Sequence, residues 1–273
     1  MLLNPTLDEI FEIDDFIVGG TFETSRNSIF PAGKALSFAI SARKFIRDEE
    51  IIILGFIGEK EKNIYTEYLD SFNIISKLIS VRGNTRSNKT IVDAKNNTTT
   101  HIRQIGFEVS KTNLKTFYSA FSELLKPKDF VILSGSLPGE VPVNVYQSLI
   151  KQSKNIVAFS ILDSIGEAMK RGLIAQPYII KSNLVEIAEI LENPGLRVLN
   201  FKDLMKDINI ISKSGNRLLD ENIKIILITL GEYGALMITK ERVLYGNISI
   251  DNVLDTVGSG DAFLGGFIAS YYR

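Results

Sequence analysis

Ile225-Ile226-Leu227-Ile228-Thr229-Leu230 is apolar and rich in β-branched residues, and Gly231-Glu232-Tyr233-Gly234 follows it at once. A strand with one solvated face alternates polar and apolar residues, so a run this uniformly apolar reads as a strand covered on both faces and ended by a turn. Residues 51–57, 130–133, 156–162 and 178–180 carry the same signature. Between these runs, residues 34–45, 63–72, 112–125, 143–153 and 184–191 space their apolar side chains at helical period. Buried strands alternating with helices predict an α/β fold, a three-layer α/β/α sandwich around a mostly parallel sheet.

Two stretches break that rhythm. Residues 12–30 and 90–105 are polar and β-prone without a helical period, and Lys95-Asn96-Asn97 divides the second of them as a hairpin turn would. They predict a small separate sheet standing off the main body. No repeat, low-complexity tract or long linker interrupts the chain, which reads as a single domain over residues 1–273.

Composition narrows the classes of function. A length of 273 residues suffices for a large core, and 45% hydrophobic with 23% charged residues is ordinary for a globular protein. A net charge of −1 argues against nucleic acid as a partner. The absence of cysteine excludes disulfides and thiolate chemistry. No leader-like segment or apolar run of about 18 residues is present, so the expectation is a cytoplasmic enzyme with no membrane partner. The single histidine, His101, falls in a polar strand-like stretch and reads as a surface residue.

Chemistry concentrates near the end of the chain. Asp255-Thr256-Val257-Gly258-Ser259-Gly260-Asp261 precedes the apolar helical stretch 262–269. The first turn of a helix presents unpaired N–H groups and the positive end of its dipole, so the Gly258, Ser259 and Gly260 amides are placed to hold phosphate oxygens. Asp261 would stand beside them as the base for an attacking hydroxyl, which is phosphoryl-transfer chemistry. A Gly-rich strand-to-helix turn with Asp261 as a helix-start acid accounts for the same residues.

This run resembles the D-T-x-G-A-G-D-x-F motif of the PfkB carbohydrate kinases, which have a ribokinase-like fold; Asp255, Thr256, Gly258, Gly260, Asp261 and Phe263 match, and Ser259 stands for the alanine. Other matches follow in family order. Asn4-Pro5-Thr6-Leu7-Asp8, Thr85-Arg86-Ser87-Asn88 and Ser134-Gly135-Ser136-Leu137-Pro138 resemble the 1-phosphofructokinase and tagatose-6-phosphate kinase branch. The resemblance implies that Asp8 contacts the sugar. Arg86 suits a phosphate, which it can grip with two hydrogen bonds, and Ser136 is a candidate for a further sugar or phosphate contact, although a tight turn after a strand also explains its segment. Gly33 and Lys34 match the family's sugar-binding G-G-K-G-x-N, while Ala32 and Ala35 replace glycines and Ser37 replaces the asparagine.

Lys181-Ser182-Asn183-Leu184-Val185-Glu186 resembles K-P-N-x-x-E, which implies Asn183 near the nucleotide and Glu186 near Mg²⁺; a helix cap explains the same pair. Thr229, Gly231 and Gly234 match a nucleotide loop, with Thr256 also on the nucleotide, and an ordinary turn explains the glycines equally. The expected activity is ATP- and Mg²⁺-dependent phosphorylation of a sugar phosphate, fructose 1-phosphate or tagatose 6-phosphate. A kinase of an unphosphorylated sugar or nucleoside, or a non-catalytic binding relative, are the alternatives. The resemblance also implies a β lid, formed by residues 12–30 and 90–105, that could join two copies as a homodimer, and further C-terminal helices in relatives beyond the point where this chain stops.

Overall fold

The computed structural model describes residues 1–248 and 258–272. Along the chain run β1 (Thr6–Glu12), β2 (Asn27–Ala32), α1 (Lys34–Arg43), β3 (Ile52–Gly58), α2 (Lys62–Asp70), β4 (Ile75–Val81), β5 (Arg86–Asp93), β6 (Thr98–Arg103) and α3 (Lys111–Leu124). Then follow β7 (Phe130–Ser134), α4 (Val145–Asn155), β8 (Phe159–Asp163), α5 (Gly166–Ile174), β9 (Ile179–Asn183), α6 (Leu184–Ile190), α7 (Leu204–Gly215), β10 (Ile225–Thr229), β11 (Ala235–Ile238), β12 (Val243–Gly246) and α8 (Ser259–Tyr272). The chain divides into two compact units. The first comprises Met1–Phe121, Leu137–Val141 and Gly265–Arg273, and the second Ser122–Ser136 and Pro142–Leu264.

The second unit is built on a sheet of order β12-β11-β10-β9-β8-β7, in which β7 to β10 run parallel and β11 and β12 are antiparallel additions. Ile161, Leu162, Ile179, Ile180, Ile226, Leu227 and Ile228 are fully buried along its central strands. Each such side chain contributes roughly 1.5–3 kcal/mol. The apolar runs at 130–133, 178–180 and 225–230 are therefore strands, as their composition predicts. Residues 156–158 differ: their amides bond the carbonyls of Ser153 and Lys154, and Val157 has φ 62°, so they close α4 and the strand starts at Phe159. Hydrophobicity alone cannot separate a helix-closing turn from the strand after it. Parallelism brings the carboxyl ends of β7 to β10 to one edge, where open α/β sheets place ligands.

In the first unit, β3 and β4 pair in parallel, and a four-stranded sheet has the order β2-β1-β5-β6. β5 and β6 form the expected hairpin, closing at Asp93↔Thr98 with Asn97 at φ 51°. The small sheet is wider than expected: it starts at Thr6 and Arg86, and residues 13–26 form no regular strand. Asp93 holds that loop to the hairpin. Its carboxylate accepts hydrogen bonds from the Asn96 side chain and from the backbone amides of Asp15, Phe16 and Asn96. These donors, the Asn96 side chain first, hold the Asp93 carboxyl below the usual carboxylate range.

Candidate active site

The residues singled out by the sequence fall into two groups, one in each unit. In the first unit the small sheet sets up a polar row. Register pairs Asp8 of β1 with Asn88 of β5, and Asn88 with Arg103 of β6, while Arg86 pairs with Thr6 two residues away. Side chains two apart on a strand share a face, so Asp8, Arg86, Asn88 and Arg103 all stand on one side. Asn88 Nδ2 donates to Asp8 Oδ1 at 3.0 Å, and Thr6 Oγ1 donates to the same oxygen at 3.3 Å. Arg86 is half-buried; its Nε donates to the Pro5 carbonyl and its Nη2 to the Asn4 carbonyl, each at 3.3 Å. Two of the guanidinium's five N–H donors are thus spent on backbone, and the remainder are available to a ligand.

This row is anchored from below. Tyr65 of α2 is fully buried, with its hydroxyl against the carbonyls of Thr6 and Ala32, which are register partners on β1 and β2. Burial raises the Tyr65 pKa, so the hydroxyl stays a donor. The anchor fixes Asp8, two residues after Thr6, and Gly33, directly after Ala32. Gly33 is the N-cap of α1, its carbonyl accepting from the amides of Leu36 and Ser37. At φ 141°, and with a Cβ that would lie 2.7 Å from Leu2 Cδ1, the position suits glycine alone. Lys34 opens the helix and Ser37 lies in its first turn, both half-buried. Thr85, by contrast, is structural. Its hydroxyl accepts from the Gly58 amide at 3.0 Å and its own amide donates to Glu61 at 2.8 Å.

Charge in this row is finely set. Burial raises the Asp8 carboxyl above its ordinary value, against the hydrogen bonds from Asn88 and Thr6 and the fields of Arg86 and Arg103. Burial also lowers Arg86, with Arg103 adding to that effect and Asp8 opposing it. For a carboxyl raised on folding, the folded chain keeps a proton the unfolded chain has lost, so stability falls as pH rises through the window above about 3.9. Asp8→Asn is therefore expected to raise Tm at pH 7 and to change it little near pH 3, as read by calorimetry. An unchanged or lower Tm at pH 7 would show that Asp8 carries no such cost.

The second group lies at the carboxyl edge of β7 to β10. Gly135, just past β7, donates its amide to the Asp163 carbonyl, and the Tyr146 and Ser164 hydroxyls bond the carbonyls of this turn. Ser136 follows at the end of the same turn. Asn183 caps α6: its Oδ1 accepts from the Glu186 amide and Glu186 Oε2 accepts from the Asn183 amide, both at 2.9 Å. Thr229, opposite Asn183 in the ladder, reaches the Ser182 carbonyl. Gly231 and Gly234, at φ 63° and 93°, make the tight β10–β11 connection.

Lys181 joins this edge to α8. It is buried on β9, with Nζ 3.4 Å from Asp163 Oδ1. A Cβ at Gly260 would lie 2.9 Å from that ammonium, closer than side chains normally approach. Gly258, at φ 77°, starts the helix by accepting from the amides of Asp261 and Ala262, and Asp261 is buried in the first turn. A buried ammonium beside the positive end of a helix favours a bound anion. Asp255 and Thr256 lie outside the described residues. Lys181 and Asn88 lie inside the motifs without a role of their own in the sequence, and Asp163, Arg103 and Tyr65 lie outside them. Asp163 has a local signal, an acid closing an apolar strand. The others become visible only through partners distant in sequence.

Comparison with known proteins gives concordant findings. A family model described as pfkB family carbohydrate kinase matches residues 2–273. The chain is 27% identical to a 1-phosphofructokinase of Bacillus subtilis over 268 residues, 98% of this chain and 83% of that protein. It is 26% identical to a tagatose-6-phosphate kinase of Staphylococcus epidermidis, over 97% of this chain and 82% of that one. In fold it is similar to phosphofructokinase-2 from Escherichia coli, solved in complex with substrates and products, with a TM-score of 0.85 and 19% identity over 99% of this chain and 85% of that chain.

Proposed function

The chain belongs to the pfkB family of carbohydrate kinases, and from that premise we propose that it transfers the γ-phosphoryl group of ATP to a hydroxyl of a sugar phosphate. Fructose 1-phosphate, giving the 1,6-bisphosphate, and tagatose 6-phosphate, giving its 1,6-bisphosphate, are the acceptors we favour, as in relatives bearing those names. The observation that carries the choice is Arg86, a half-buried guanidinium with donors to spare, on the same face as the Asp8 carboxylate. A neutral sugar needs hydroxyl partners such as Asp8; a phosphate needs the cation as well.

In this reading Asp8, held by Asn88 and Thr6, accepts hydrogen bonds from sugar hydroxyls, while Gly33, Lys34, Ser37 and Ser136 complete the acceptor contacts. Asn183, Thr229, Gly231, Gly234 and Thr256 serve the nucleotide. Asp261 takes the proton of the attacking hydroxyl. The Gly258, Ser259 and Gly260 amides, with Lys181 beside them, hold the charge that gathers on the transferring group. Glu186 fits Mg²⁺: one carboxylate oxygen is committed to the helix cap, and the other remains for a water-mediated contact of the kind Mg²⁺ accepts. When bound, the ion supplies neutralisation of the nucleotide phosphates.

The reverse face of the small sheet supports a homodimer. Ile29 and Ile102, 53% and 50% exposed, stand there on either side of the Glu9–Lys89 pair. No helix among the described residues is long and apolar enough to cross a membrane, and we place the enzyme in the cytoplasm. The test of the acceptor is product analysis after incubation with Mg·ATP and, separately, fructose 1-phosphate, tagatose 6-phosphate, fructose 6-phosphate, fructose and ribose. A bisphosphate from one of the sugar phosphates is expected; product from the neutral sugars alone would refute the proposal.

A further inference from the structure

We infer that Phe201 is a positioning residue for the nucleotide: its ring holds Tyr233 aside and so keeps the β10–β11 turn open to ATP. The inference rests on the reading above that Gly231 and Gly234 serve the nucleotide. It starts from strain. Phe201 lies in the connection between α6 and α7 with φ 54°, in the left-handed region that a bulky side chain rarely adopts. Such a residue costs free energy and persists only where its surroundings hold it, so the contacts that hold it are informative. Its amide donates to Asp207 Oδ2 at 2.9 Å, on a residue buried in the first turn of α7. Its ring stacks on Tyr233, with centroids 4.4 Å apart and planes 22° from parallel.

The helix start does not need this ring. Asp203 caps α7 by accepting from the Lys206 amide at 3.1 Å, and a small residue at 201 would leave that cap in place without the strain. What requires an aromatic side chain is the partner across the stack. Tyr233 ends the short turn Gly231–Tyr233 between β10 and β11, whose backbone closes through the Leu230 amide on the Gly234 carbonyl at 2.8 Å and the Gly234 amide on the Gly231 carbonyl at 3.2 Å. Tyr233 is also held from outside the turn, at its ring by Phe201 and at its carbonyl by the Tyr245 hydroxyl, which donates at 2.8 Å. At Gly231, φ 63°, a Cβ would meet nothing within 4 Å among the described residues, the Tyr233 ring included. This bare backbone at the carboxyl end of β10 is the open space that a nucleotide would enter. Tyr233 stands two residues away, and a ring released from Phe201 regains the rotamers that swing it over that space. The stack thus offsets the strain at Phe201 by fixing one rotamer at the edge of the site.

Phe201→Ala, Phe201→Gly and Phe201→Tyr test this in the intact enzyme. The quantities are kcat, KM for ATP and for the sugar phosphate, binding of ADP by calorimetry, and Tm. Phe201→Ala and Phe201→Gly should each raise the ATP KM and weaken ADP binding by about 3- to 10-fold, the worth of one aromatic pair, with the sugar-phosphate KM within about twofold of the parent. Glycine accepts the left-handed backbone and alanine does not, so Tm should be higher for Phe201→Gly while the two ATP KM values agree. Phe201→Tyr keeps the stack and should keep the parent KM. An ATP KM that follows Tm across the series would mark a structural role and overturn the inference, as would an equal rise for ATP and the sugar phosphate. Gly231→Ala tests the underlying reading separately, by placing a methyl group in the open space. If it raises the ATP KM and Phe201→Ala does not, the inference alone fails. If neither substitution changes the ATP KM, the nucleotide reading of the turn fails and the inference with it.

Discussion

Asp261→Asn is expected to lower kcat by about 10²–10⁴-fold, the range for removal of a positioned general base, while ATP binds as in the parent protein. The expectation rests on position. Asp261 is buried in the first turn of α8, one residue beyond the glycine whose missing Cβ makes room for the Lys181 ammonium. Asparagine keeps the size and the acceptor oxygen and removes the basicity, so loss of rate with intact nucleotide affinity isolates the proton-accepting role. Transfer chemistry depends mainly on placement and electrostatics, and the amides and Lys181 remain in the variant, so a residual rate above background is part of the prediction. Steady-state kinetics with a parallel ATP titration gives both quantities. Turnover close to that of the parent would mean that Asp261 only starts a helix.

Arg86→Gln is expected to lower kcat/KM for the sugar phosphate by about 100-fold, mostly through KM, and to leave the neutral sugar within a few-fold. The guanidinium also bonds the Pro5 and Asn4 carbonyls, so the substitution loosens the Asn4–Pro5 segment as well. The neutral sugar separates the two effects. Loosening of the segment that leads into Asp8 would harm both acceptors alike, whereas loss of a phosphate partner harms only the charged one. A common drop for both would assign Arg86 to structure and remove the main support for a phosphorylated acceptor.

The parts of the fold legible in the sequence were those governed by local composition. β9 and β10 are covered on both faces, and their near-continuous apolar runs announce this. β4 is not legible from composition because Ser76, Lys77 and Ser80 interrupt it, giving the pattern of a strand with a partly solvated face. β1 hid for the same reason, as Thr6, Asp8 and Glu9 make its opening read as polar loop, and so the small sheet was expected to begin later than it does. The helix cap at Asn183 and Glu186 and the helix start at Gly258 were readable because three or four residues specify each.

The site followed the same division. Motif residues could be named singly, but their assembly depends on register between distant segments. Asp8 meets Asn88 across 80 positions, and Lys181 meets Asp163 across 18. Nothing near Arg103 in the sequence marks it; only its place opposite Asn88 in the β5–β6 hairpin does. The Asn183–Glu186 pair also carries a lesson about roles. The capping box read on general grounds is formed, and one carboxylate oxygen still remains, so the structural duty leaves room for the proposed Mg²⁺ contact in the same side chain.

The most direct test of the central claim is the ratio of kcat/KM for a sugar phosphate to that for its unphosphorylated sugar, measured with Mg·ATP on one preparation of the enzyme. A ratio of about 100 or more for fructose 1-phosphate or tagatose 6-phosphate is predicted, because a bidentate arginine contact to phosphate is worth roughly that factor. A ratio near one, or a preference for the neutral sugar, would contradict the account.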